Sequence, residues 1–67
     1  MKITLNNRAE EIQGSSLTIS ELLKFKNYTF KLLVVKINGN LVRKDRYDHA
    51  TISEGDDVAV IHLISGG

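Results

Sequence analysis

Residues 58–64 read VAVIHLI, apolar at every position except His62. Successive side chains of an extended chain point to opposite faces, so Val58, Val60 and Ile64 share one face while Ala59, Ile61 and Leu63 share the other. A half-buried strand alternates apolar with polar residues, whereas this one carries hydrophobic groups on both sides. That pattern suits a strand in the centre of a sheet, as parallel strands with both faces covered are. The rest of the chain must then supply the elements that flank it.

The segment MKITL, residues 1–5, alternates Met1, Ile3 and Leu5 with Lys2 and Thr4, the period of a half-buried strand. Asn6-Asn7 offers a hairpin turn, because asparagine tolerates the left-handed backbone that tight hairpins need, and Arg8 to Ile12 is the return strand. Gly14-Ser15-Ser16 reads as a loop. Thr18 followed by Glu21 is a capping box that opens a short helix, with Ile19, Leu22 and Leu23 on one face and an end near Lys26-Asn27. In KLLVVKINGN, residues 31–40, Leu33, Val35 and Ile37 share a face, and Asn38-Gly39-Asn40 turns into a short partner at Leu41-Val42. Residues 43–57 read as a polar connection plugged by Tyr47 and Ile52, closing in a tight turn at Glu54-Gly55-Asp56-Asp57.

The order is therefore hairpin, helix, hairpin, final strand. A helix with one apolar stripe buries it on a sheet, which predicts a two-layer α+β fold: a mixed sheet of four to five strands packed on one helix. If the final strand lies beside the first, parallel to it and central, the fold is the ubiquitin-like β-grasp. With a single helix, only one face of that strand can be covered from within the chain. The other face, bearing Ala59, Ile61 and Leu63, is then an exposed apolar patch of the kind that marks a partner surface, or else is covered by loops.

At 67 residues the sequence forms one expected domain, 1–67. A domain of that size buries only about 60% of its unfolded surface, which leaves little room for a substrate-enclosing cleft. A formal charge of +1 gives no electrostatic footprint for nucleic acid. No apolar stretch approaches the roughly 20 residues that cross a bilayer, and Met1-Lys2 leads directly into a strand, so a cytoplasmic protein without membrane association is expected. The sequence has no cysteine and two histidines, which disfavours a disulfide framework, thiol chemistry and a zinc site.

His49 beside Asp48, and His62 in the last strand, lack a nucleophile and a pocket to converge in, so both are read as surface or strand-face residues. Gly55-Asp56-Asp57 supplies too few oxygens for a calcium loop and is read as a turn. No phosphate-cradling glycine loop occurs, so no ATP site and no bound cofactor are expected in the chain. No side-chain catalyst is expected, and the chain reads as a non-enzyme. What remains is the ending, Ser65-Gly66-Gly67. An α-carboxylate has a pKa of about 3.5 and is ionised at neutral pH, and two residues without Cβ can thread a channel too narrow for side chains. A Gly-Gly ending can also be left by cloning. A carboxylate becomes an acyl donor only once activated, as a mixed anhydride with AMP for example, by an enzyme acting in trans.

Taken together, MKITLN, the helix start TISELL, VVKINGNLVRKDRY, the strand EGDDVAVIHLI and the final Gly66-Gly67 resemble the ThiS family of sulfur carriers in thiamin biosynthesis over essentially the whole length. The resemblance implies a β-grasp fold and adenylation of Gly67 by a ThiF-like enzyme using ATP. It also implies conversion of Gly67 to a thiocarboxylate by a sulfur-donor system, and donation of the sulfur to a ThiG-like thiazole synthase. Ser65 would give the tail flexibility and Gly66 clearance, with tail residues 65–67 mobile in the free protein. Ala59, Ile61, Leu63 and Ile64 would dock the final strand and tail on partners. The alternatives are a MoaD-like small subunit of molybdopterin synthase and a ubiquitin-like modifier or interaction module.

Overall fold

The computed structural model describes residues 1–28 and 33–62. Its strands are β1 (Lys2–Leu5), β2 (Arg8–Glu11), β3 (Ser16–Thr18), β4 (Leu33–Ile37), β5 (Asn40–Val42), β6 (Thr51–Ser53) and β7 (Asp57–His62), with helix α1 (Ile19–Phe25) between β3 and β4. The main sheet has the order β2-β1-β7-β4-β5. In it β7 runs parallel to β1 and antiparallel to β4, so the last strand is central, and the architecture is the ubiquitin-like β-grasp.

Both hairpins turn on two residues, and all four have positive φ: Asn6 (51°) and Asn7 (68°), then Asn38 (52°) and Gly39 (83°). That is the type I′ geometry whose twist matches paired strands. The turn asparagines have a second use. The Asn38 side chain accepts from the Asp57 amide at 2.9 Å, at the start of β7, and the Asn6 side chain accepts from the Val60 amide at 2.8 Å, further along it. The short β1 pairs with β7 only through Thr4↔Asp57 and Leu5↔Val58, and Asn6 extends that pairing with a side-chain oxygen.

The helix is closed at both ends. At its start the Ile19 amide donates to the Ala50 carbonyl (3.0 Å), the Ser20 amide to the Tyr47 carbonyl (2.9 Å) and the Glu21 amide to Thr18 Oγ1 (3.1 Å). Glu21 returns the favour through its carboxylate, which accepts from the Thr18 amide at 2.9 Å and completes the capping box. At the other end Asn27 has φ 59°, its amide donates to the Lys24 carbonyl and the Tyr28 amide donates to the Leu23 carbonyl, a Schellman closure.

Two stretches read as loops are partly ordered otherwise. Ser16–Thr18 pairs antiparallel with Thr51–Ser53 in a second, two-stranded sheet, and Lys44–Arg46 forms a turn of 3-10 helix. Ile52 is the reason the connection is more than polar linker: it is fully buried at the centre of β6 and pins the strand to the core. Ile3, Leu5, Ile12, Ile19, Leu22, Val35, Val58 and Val60 complete that core, and no polar or charged side chain is buried among the described residues. Leu23 packs against the core half-buried.

Candidate functional site

The face of the main sheet that points away from α1 follows from strand parity. On β7, Val58 and Val60 face the helix and are buried, so Asp57, Ala59 and Ile61 face outward. Ile61 is 45% exposed and Ala59 half-buried. The register sets their neighbours: Val34 opposite Ile61, Lys36 opposite Ala59, and Leu41 opposite Lys36 from the other side. Leu41 is 64% exposed, Val34 half-buried and Lys36 exposed. The outcome is an apolar band across β5, β4 and β7 with one cation in it.

Of the residues singled out for docking, the structure thus places Ala59 and Ile61 together on this band, whereas Leu63, Ile64, Ser65, Gly66 and Gly67 lie outside the described residues. Val34, Lys36 and Leu41 were not grouped with them by sequence. The signal was available in LVVKI, where placing Leu33, Val35 and Ile37 on the helix side forces Val34 and Lys36 outward.

Two aspartates away from this face are committed to structure. Asp48 accepts a hydrogen bond from the Ser20 hydroxyl near the start of α1, and His49, its exposed neighbour, lies in the turn that follows the 3-10 segment. Asp56 uses both carboxylate oxygens within its own turn, one accepting from the Ser53 amide (2.9 Å) and one from Asn38 Nδ2 (3.1 Å). Among the described residues no group of three or more His, Asp or Glu side chains is placed to hold a metal ion. The Glu21 carboxyl is held below its ordinary pKa, first by the Thr18 amide, then by the Thr18 hydroxyl and Lys24. Partial burial pushes the Tyr47 phenol up. Neither perturbed group lies on the outward face of the main sheet.

A cleft of about 290 Å³ lies beside the first hairpin turn, lined by Leu5, Asn6, Arg8, Glu10, Lys26 and Tyr28. Lys26 and Glu10 are paired with each other across it at 3.3 Å. Its lining contains no serine, threonine, histidine or cysteine, so it lacks the nucleophile and base of covalent catalysis. No helix among the described residues is long and apolar enough to cross a membrane.

Comparison with known proteins places this geometry in context. Residues 3–67 match the model of the ThiS family. The chain is 25% identical over 65 residues to the sulfur carrier protein ThiS of Bacillus subtilis strain 168, covering 97% of this chain and 98% of that protein. It is similar over its full length to the crystal structure of the thiamine biosynthesis protein ThiS from Geobacter metallireducens, with a TM-score of 0.87, 29% identity and 100% of each chain covered. A solution structure of a thiamine biosynthesis protein from the same organism aligns with a TM-score of 0.79 and 28% identity, covering 100% of this chain and 88% of that one.

Proposed function

The chain belongs to the ThiS family, and on that premise we propose that it is a sulfur carrier for the thiazole of thiamin, with the carboxylate of Gly67 as its reactive group. The observation that carries this reading is the extent of the family match, which runs through Gly66-Gly67 to residue 67. The carrier contributes no catalytic side chain. In the pocket of a ThiF-like partner a carboxylate oxygen of Gly67 attacks the α-phosphorus of ATP and pyrophosphate leaves, forming an acyl-adenylate. Sulfur delivered at the oxidation level of sulfide then attacks the acyl carbon, AMP leaves with the bridging oxygen, and a thiocarboxylate remains.

The architecture supports a carrier of this kind. Gly66 lets the chain enter a narrow pocket, Ser65 adds a small polar link, and Ala59, Ile61, Leu63 and Ile64 dock the final strand on its partners. The partners are the adenylating enzyme, a ThiG-like thiazole synthase and the sulfur donor; ATP is bound by the first of these and not by the carrier.

A deletion strain tests the pathway. Loss of the gene should impose a growth requirement for thiazole that the intact chain relieves and a chain lacking Gly67 does not. Loss of molybdoenzyme activity without a thiazole requirement would instead identify a molybdopterin-synthase subunit. Amide conjugates of the chain on lysines of other proteins would identify a modifier.

A further inference from the structure

We infer that the outward face of β5-β4-β7 recognises a protein surface that is apolar with a carboxylate at its centre, and that Lys36 is the residue reading that carboxylate. The inference rests on the carrier reading for the identity of the partners and on the sheet geometry for their chemistry.

Lys36 sits in register between Leu41 on β5 and Ala59 on β7, and the adjoining pair is Val34 with Ile61. Leu41 and Ile61 are the two large hydrophobic side chains that this face exposes among the described residues. Any protein surface that covers both also covers the position between them. Lys36 is therefore desolvated whenever the band is buried, and an ammonium group taken from water without an acceptor is strongly destabilising.

Among the described residues no group supplies that acceptor. The ion pairs among the described residues join the N-terminus to Glu11 and Lys26 to Glu10, and neither involves Lys36. Asp57, the other charged outward residue of β7, is in register with Thr4 of β1 and not with Lys36. On the outward face of β1 and β2 the charged residues are Lys2 and Glu11, opposite each other.

The same charge argues against a second copy as the occupant. Two-fold pairing over the centre of the band would bring two Lys36 ammonium groups together in a drying interface, and like charges so placed oppose association. A partner with an apolar patch around an Asp or Glu meets both requirements, covering Leu41, Val34 and Ile61 and completing Lys36 with a charge-assisted hydrogen bond.

The test uses full-length chain, the adenylating enzyme from the same genome, ATP and sulfide, with thiocarboxylate formation followed by intact mass. Lys36→Glu is expected to raise the KM for the carrier at least about tenfold with kcat little changed, because the tail chemistry is untouched while a like charge faces the partner's carboxylate. Lys36→Met keeps the stem and removes the charge, so it should raise KM less and flatten its dependence on salt. Unchanged thermal unfolding of both variants assigns the effect to recognition. Wild-type KM in Lys36→Glu, or a wild-type chain that sediments as a dimer through this face, overturns the inference and leaves the carrier reading standing. Failure of the wild-type chain to be converted at all overturns the carrier reading, and the inference with it.

Discussion

Leu22→Ala is expected to remove about 3 kcal/mol of folding stability, the middle of the range for emptying a fully packed leucine site. Leu22 is 0% exposed and is one of two fully buried helix residues, with Ile19, in the core cluster that also holds Ile52, Val35 and Val58. A domain of this length has a total stability of about 3–10 kcal/mol, so the loss is a large fraction of the whole. For a small domain it corresponds to a fall in unfolding midpoint of about 12–24 °C. Leu41→Ala is the control, since Leu41 projects outward at 64% exposure and should cost at most about 0.5 kcal/mol. Equal losses in the two variants, measured by thermal or urea unfolding, would contradict the assignment of one residue to the core and the other to the open face.

The second large effect is in the tail. Gly66→Val adds a branched isopropyl group beside the reacting residue and forbids backbone conformations that glycine adopts freely. If the tail must thread a narrow pocket to bring the Gly67 carboxylate in line with a phosphorus atom, displacement of the reacting oxygen by about 1 Å costs on the order of a hundredfold in rate. The expected result is that loss in kcat for adenylation, with KM for the carrier nearly unchanged because Ala59 and Ile61 are untouched. Wild-type kcat in Gly66→Val would show that the tail is not held in a side-chain-excluding channel. Opposite kinetic signatures are thus expected at the two ends of the proposed apparatus: Lys36 acts on KM, Gly66 on kcat.

Much of this fold was legible in sequence because the elements that decide it are governed by local rules. The apolar run from Val58 onward suited a central strand without fixing its neighbours, and β7 is central, between β1 and β4. The capping box at Thr18 and Glu21 fixed the start of α1, and Asn27 in the left-handed region ended it. The small sheet was not legible. Ser16–Thr18 and Thr51–Ser53 are three residues each and lie more than thirty positions apart, so neither has a period to read, and their pairing exists only once Ile52 is drawn into the core. The roles of Asn6 and Asn38 were half legible: their turns followed from residue type, but their hydrogen bonds to β7 depend on where the central strand comes to rest.

The candidate site divides the same way. Ala59 and Ile61 could be assigned to an exposed face from parity and from the supply of one helix. Lys36 entered only through register, because a lysine in an alternating strand is the ordinary mark of a solvent face. Its meaning changes when the residues on either side of it across the sheet turn out to be Leu41 and Ala59. The role proposed for Ser65, Gly66 and Gly67 rests on backbone chemistry alone, and these residues lie outside the described ones.

The most direct test of the central claim is the intact mass of the chain after incubation with ATP, the adenylating enzyme and a sulfur donor. The account predicts a gain equal to the replacement of one oxygen by one sulfur, located on Gly67 by fragmentation and absent from a chain lacking that residue. An unchanged mass, in the presence of an adenylating enzyme shown to be active, would contradict it.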